Sequence, residues 1–142
     1  LNTFKLFLCD TGLFITLAFR DKDFTENLLY QKLLNDKMST DLGYVYENIV
    51  AQMLVSEGNM LFYHVFQSET SHHNHEIDFL LSRNGKICPI EVKSSTYRRH
   101  ASFDEFCRKF SSRILNKYLV YTKDLRKDQD VLYLPAYMVQ FL

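Results

Sequence analysis

Apolar and polar positions change their period along this chain, and each change marks an element. Leu42, Val45, Tyr46, Ile49, Val50, Met53 and Leu54 recur at helical spacing. This predicts a helix that Ser39, Thr40 or Asp41 can cap and that Glu57-Gly58-Asn59 ends. Residues 60–67 then read as a strand rich in aromatics, and 68–75 as a polar loop. Two further runs, 76–82 and 87–93, alternate apolar with other residues, as half-buried strands do. Ser102-Phe103-Asp104-Glu105 reads as a capping box opening a helix that carries Phe106, Phe110 and Ile114 to about Asn116. A strand at 117–122, a charged turn at 123–130 and a last strand at 131–134, stopped by Pro135, complete the chain. Residues 1–38 read as a short strand or helix followed by a helical stretch around 24–34. They form an N-terminal helical extension packed on a core of residues 39–142. The order from residue 39 is αβββαβ, which predicts an α/β fold with a mixed central sheet and flanking helices, single-domain overall.

The two alternating runs are joined by Arg83-Asn84-Gly85-Lys86. Asn-Gly favours a two-residue type I′ hairpin, because both central residues need positive φ. Arg83 then pairs with Lys86, and counting outward sets Asp78 opposite Glu91 and Glu76 opposite Lys93. Ile77, Phe79 and Leu81 face Val92, Ile90 and Cys88, an apolar surface that fixes which side meets the core. The acids share the other side. Opposed residues have Cβ atoms roughly 4.5–5.5 Å apart and like charges there are destabilising, so something positive is expected between them. A divalent cation held by hard oxygens would serve, with Lys93 as a second positive group. The plainer alternative is a surface hairpin whose charges, Glu76–Lys93 included, face water. Pro89 gives no ladder hydrogen bond and predicts a bulge or an edge in the second strand.

A length of 142 residues, with 46% hydrophobic and 15% aromatic content, suits one packed domain rather than a disordered chain. The formal net charge is zero, so any binding of nucleic acid needs a local patch. Cys9, Cys88 and Cys107 form no CxxC pair and read as reduced, buried thiols of a cytoplasmic protein. The longest uncharged stretch near the start, 11–19, is too short to span a bilayer, so no membrane partner is expected. The chain opens on Leu1 and runs at once into Phe4-Lys5-Leu6-Phe7-Leu8, as a piece of a longer polypeptide would. Tyr44, Phe62, Tyr63, Phe66 and Phe79 are read as core rather than as a platform for bases. His72, His73 and His75 lie in a polar setting without a nearby cysteine, and are not read as a transition-metal site.

The acid on the first helix, the Asp on the second strand and Glu-x-Lys on the third resemble the PD-(D/E)xK, or restriction-endonuclease-like, superfamily. More narrowly, Gly43-x-x-x-Glu47-Asn48, Glu76-Ile77-Asp78-Phe79-Leu80 and Pro89-Ile90-Glu91-Val92-Lys93-Ser94-Ser95 are similar to the uncharacterised C-terminal domain of predicted prokaryotic AAA-type ATPases. The segments 5–13 and 133–138 match the same group. The resemblance implies a covalently linked ATPase domain elsewhere in a longer protein, since no P-loop occurs here. It also implies Mg²⁺- or Mn²⁺-dependent phosphodiester hydrolysis of DNA or RNA. On that pattern Asp78, Glu91, the main-chain carbonyl of Val92 and Glu47 would hold the metal, and Lys93 would orient or help deprotonate the attacking water.

Glu47 lies close in angle to Val50 and Leu54, so it either leans over the sheet to complete the site or remains an ordinary helix-flank acid. Glu76 reads as the ion-pair partner that holds Lys93. Ser94, Ser95, Arg98 and Arg99 could grip a nucleic-acid backbone, extended by Arg108, Lys109 and Arg113, or form a solvated loop. Two rival functions stay open: a non-catalytic module that binds a partner or nucleic acid and regulates the ATPase, and a dimerisation domain forming a homo-oligomer.

Overall fold

The computed structural model describes residues 4–19, 42–68, 73–95 and 100–142. Helix α1 spans Thr11–Phe19, α2 Leu42–Ser56 and α3 Ala101–Lys109. The strands are β1 Phe62–Gln67, β2 Asn74–Arg83, β3 Lys86–Val92, β4 Lys117–Tyr121, β5 Arg126–Asp128 and β6 Val131–Pro135. Together they make a six-stranded sheet in the order β1-β2-β3-β4-β6-β5. β1, β2 and β3 form an antiparallel meander, β3, β4 and β6 run parallel, and β5 returns antiparallel along one edge. The fold is thus the mixed α/β class expected. The expected caps Ser39, Thr40 and Asp41 and the helical stretch 24–34 lie outside the described residues.

Both faces of the sheet are covered. On one, Val50, Ala51 and Leu54 of α2 bury Phe79, Leu81, Cys88, Ile90, Val92 and Val120. On the other, Phe103, Phe106 and Cys107 of α3 bury Phe66 and Ile77, with Leu80 and Ile87 at the margin. Burial on two faces explains why β3 is nearly continuously apolar. α2 ends in a Schellman turn in which the amides of Gly58 and Asn59 donate to the carbonyls of Val55 and Leu54 at 2.9 and 3.0 Å. Gly58 adopts a φ of +78° there, as the motif requires.

Several expectations are corrected. α3 stops at Lys109 rather than near Asn116, because Ile114 is drawn into a parallel bridge with Ile87 and the Leu115 amide donates to the Ile87 carbonyl at 2.9 Å. Its N-cap is His100, without a side-chain cap bond, so Ser102 lies inside the helix and forms no capping box. Glu105 instead accepts a 3.0 Å hydrogen bond from the Ser68 hydroxyl, tying α3 to the end of β1. β5, read as a charged turn, is an exposed edge strand whose Arg-Lys-Asp sequence has no apolar alternation to reveal it. β2 begins at Asn74, within the expected polar loop.

Pro89 neither bulges β3 nor sits at an edge. It is fully buried in an interior strand opposite Leu80. Counting from the Arg83–Lys86 rung makes that a non-hydrogen-bonded position, where the missing N–H does not interrupt the ladder to β2. Of the aromatics, Phe66 and Phe79 are core, whereas Tyr44 and Phe62 are exposed. Cys88 and Cys107 are buried as expected, but Cys9 is exposed, and all three are free thiols. No helix among the described residues is long and apolar enough to cross a membrane.

Candidate functional site

The hairpin forms as its turn dictates. Asn84 and Gly85 take φ values of 53° and 72°, and rungs run from Arg83–Lys86 to Phe79–Ile90 in the expected register. There the ladder stops. Along β1, Phe62 pairs with Leu80 but His64 pairs with Ile77, so two steps on β1 span three on β2. The extra residue makes a bulge at Asp78–Phe79, which re-aims the side chains before it. As a result Ile77 joins the α3 cluster, not the α2 cluster that holds Phe79 and Leu81, and the expected single apolar face is broken.

The bulge also turns Asp78 toward α2. One carboxylate oxygen, Oδ2, accepts the backbone N–H of Val92 at 2.8 Å. The other, Oδ1, lies 3.4 Å from the Nζ of Lys5. The same ammonium is 3.2 Å from Glu47 Oε2 and 2.6 Å from Glu76 Oε1. Glu47 therefore does lean over the sheet, and a positive group does stand among the acids. That group is a lysine of the N-terminal segment. Sequence reasoning missed it because Lys5 is separated from Asp78 by 73 positions and belongs to no local pattern.

Asn48, next to Glu47 on α2 and only 2% exposed, holds that segment in place. Its side-chain oxygen accepts the Leu8 N–H at 2.8 Å, and its amide donates to the Leu8 carbonyl and to the Thr11 hydroxyl at 3.1 and 2.9 Å. Phe7 adds a ring contact to Phe79, with centroids 5.4 Å apart. Asp10 then opens α1, its Oδ1 accepting the Leu13 amide at 2.9 Å as an N-cap does.

Glu91 follows from the strand period. It alternates with Ile90 and Val92, which join the α2-side cluster, so it leaves β3 on the opposite side. The two acids approach each other across the end of the sheet and do not share one face, a correction to the expected geometry. Lys93 pairs with Glu91 Oε1 at 2.7 Å, while Glu76 pairs with Lys5 and not with Lys93 as expected. Glu91 Oε2 is buried without a hydrogen-bond partner among the described residues.

Among the described residues, acids outnumber cations at this site. Burial pushes the Glu91 carboxyl up to about 7, the charge of Asp78 adding to it and Lys93 opposing it. Burial likewise raises Asp78 and Glu47 above the ordinary carboxylate range, against the pull of Lys5. For Lys5, burial lowers the pKa, but its hydrogen bond to Glu76 and the charges of Asp78 and Glu47 outweigh this and hold it above the usual lysine value. Lys5 is therefore a fixed cation and no base. Among the described residues, no group of three or more His, Cys, Asp or Glu side chains is arranged to hold a metal ion. The space between Glu47, Glu76 and Asp78 encloses the Lys5 ammonium.

The remaining candidates are spread out. Val92 closes β3 beside Asp78, and Ser94 and Ser95 follow it toward solvent. Arg98, Arg99 and His72 lie outside the described residues. Arg108, Lys109 and Arg113 are exposed on and just after α3, with Lys109 over the Phe66 ring. His73 is exposed, and His75 Nδ1 lies 3.4 Å from Glu105 Oε2 on the α3 side, away from the Lys5 cluster. No curated protein matches the chain. The family model described as "Domain of unknown function (DUF4143)" matches residues 42–137, from the start of α2 into the 3₁₀ segment Ala136–Phe141, and the chain belongs to that family.

Proposed function

We propose that this chain is a nuclease-like domain of PD-(D/E)xK type, acting on the phosphodiester backbone of DNA or RNA with Mg²⁺ or Mn²⁺. We further infer that it works as the C-terminal part of an AAA-type ATPase. The observation that carries the reading is the meeting of Asp78, Glu91, Glu47 and Lys93 at one end of the sheet, with a buried oxygen of Glu91 left unpartnered among the described residues. Such an oxygen costs roughly 1–3 kcal/mol or more, which a bound cation would recover. The donors are hard carboxylate oxygens, which suits Mg²⁺ or Mn²⁺ and not a softer metal.

Asp78, Glu91 and the Val92 carbonyl would hold the ion, with Glu47 reaching in from α2. A cation there supplies charge stabilisation to the phosphate and lowers the pKa of its water. Lys93, held against Glu91 at 2.7 Å, positions an attacking water and faces the charge that builds on the phosphate oxygens. Ser94 and Ser95 offer donors to the nucleic-acid backbone, and Arg98 and Arg99 follow them in sequence.

A second reading draws on Lys5. An ammonium bound to three carboxylates offsets part of their charge without any metal, an arrangement that suits a non-catalytic binding module of this fold. Assaying cleavage of single- and double-stranded DNA and of RNA with Mg²⁺ or Mn²⁺ separates the two. Cleavage that disappears in Asp78→Ala and Lys93→Ala supports the nuclease; no cleavage together with no Asp78-dependent Mn²⁺ uptake leaves the binding module.

A further inference from the structure

Lys5 occupies the place that a cation at this site would take. Asp78 has one oxygen committed to the Val92 amide, so Oδ1 is the atom it can offer to a ligand. Lys5 Nζ lies 3.4 Å from that oxygen and 3.2 Å from Glu47 Oε2. A Mg²⁺ or Mn²⁺ ion bound to either oxygen sits about 2.1 Å from it, so an ion bridging both would crowd the ammonium at unscreened distance. Among the described residues, the four carboxylates Glu47, Glu76, Asp78 and Glu91 face two ammonium groups, Lys5 and Lys93, and the buried Glu91 Oε2 has no partner. The site is therefore acidic enough to attract a dication even with Lys5 in position.

The surroundings allow Lys5 to give way. Its shortest contact is to Glu76, whose side chain is 42% exposed and lies outermost of the three. A cavity of about 400 Å³ adjoins the segment, lined by Lys5, Leu6, Phe7, Phe14, Tyr44, Glu47 and Asn48. Phe4 and Leu6, flanking Lys5, are each 79% exposed, so little apolar packing opposes movement of residues 4–6, while Phe7 against the core and Leu8 on Asn48 anchor the stretch that follows.

We propose that Lys5 is an internal surrogate cation that autoinhibits the site: it covers Asp78 Oδ1 and Glu47 Oε2 when metal is absent, and retreats onto Glu76 when metal binds. The segment of residues 4–6 is then a strap, hinged on the anchored Phe7 and Leu8, whose docking and metal binding oppose each other, by the same factor in both directions. This rests on the metal reading above.

Calorimetric titration of the 142-residue chain with Mn²⁺ at neutral pH tests it, comparing wild type, Lys5→Met, Lys5→Arg and Asp78→Ala. Lys5→Met is expected to bind Mn²⁺ at least about tenfold more tightly than wild type, and Lys5→Arg no more tightly, because only the first removes the competing charge. Asp78-dependent binding of equal affinity in wild type and Lys5→Met overturns the surrogate and leaves the metal site standing. Absence of Asp78-dependent binding in every protein overturns both. A second measurement needs no variant that must fold with unpaired acids: acylation of the Lys5 amine in wild type, followed by mass spectrometry. Mn²⁺ should accelerate it severalfold, and an unchanged rate at saturating Mn²⁺ overturns the proposal.

Discussion

The Oδ2 of Asp78 accepts the backbone amide of Val92 at 2.8 Å, at the point where the β2–β3 ladder has stopped. A side chain thus replaces the next rung. The bond fixes the orientation of the acid and leaves Oδ1 for Lys5 or for a ligand. Replacing Asp78 with Asn keeps the shape and one acceptor oxygen for the Val92 amide but removes the negative charge, whereas Ala removes both functions. Mn²⁺ uptake measured calorimetrically should fall by at least about tenfold in Asp78→Asn and be lost in Asp78→Ala.

Lys93 should matter to rate more than to folding. It is 28% exposed and its pairing with Glu91 Oε1 is one contact at the margin of the site. If the domain cleaves nucleic acid, Lys93→Ala lowers the single-turnover rate at saturating Mn²⁺ by about 100-fold or more, with Mn²⁺ bound no more weakly than in wild type. Equal rates in both proteins would remove Lys93 from the reaction.

Loss of Lys5 should destabilise the fold in a pH-dependent way. Lys5→Met leaves Glu47 and Asp78 buried without their counter-ion, at a cost of about 3 kcal/mol in urea unfolding at pH 8. Both carboxyls have raised folded pKa values, so they favour folding below their unfolded values and lose that contribution as pH rises. The deficit of Lys5→Met therefore shrinks toward pH 5. A deficit independent of pH would mean that Lys5 acts through packing alone.

Glu91 gives a second pH signature. Its carboxyl is raised to about 7 in the folded chain, against an unfolded value near 4.5. The folded state binds the extra proton between these limits, so stability from this group is full below the lower value and is lost as pH rises through the higher. The wild type should lose about 2–3 kcal/mol from this source between pH 5 and 8. Glu91→Gln should lack that slope. Bound Mn²⁺ should also release protons near pH 7, visible as a buffer-dependent heat.

The thiols provide a check on the fold itself. Burial pushes Cys107 up to about 12, Cys88 is buried, and Cys9 is exposed. A thiol-specific reagent at pH 8 should modify Cys9 rapidly in the native protein and reach the other two only on unfolding. Rapid modification of Cys107 would contradict the packing of α3.

The hairpin was legible because its determinants lie within a few residues of one another. Asn84-Gly85 sets the turn, and the alternation on either side sets the register that the structure keeps from Arg83–Lys86 to Phe79–Ile90. α2 was equally legible from its apolar stripe, and its end from Gly58. α3 was too long in the sequence reading because Phe110 and Ile114 fit a helical period, and only pairing with Ile87 draws the chain into the sheet. β5 carries no pattern at all, being a polar edge strand held by its neighbour β6.

From the sequence alone came the mixed α/β class, the hairpin and the identity of the acids that gather at its end, since periodicity and turn chemistry act over short stretches of chain. Tertiary structure decided which cation meets those acids and from which side. The bulge at Asp78–Phe79 arises only from pairing with β1, and Lys5 reaches Asp78, Glu47 and Glu76 only because Asn48 clamps a distant segment against α2. Charge gathers at low dielectric wherever packing brings it, and packing between residues 73 positions apart leaves no local trace to read.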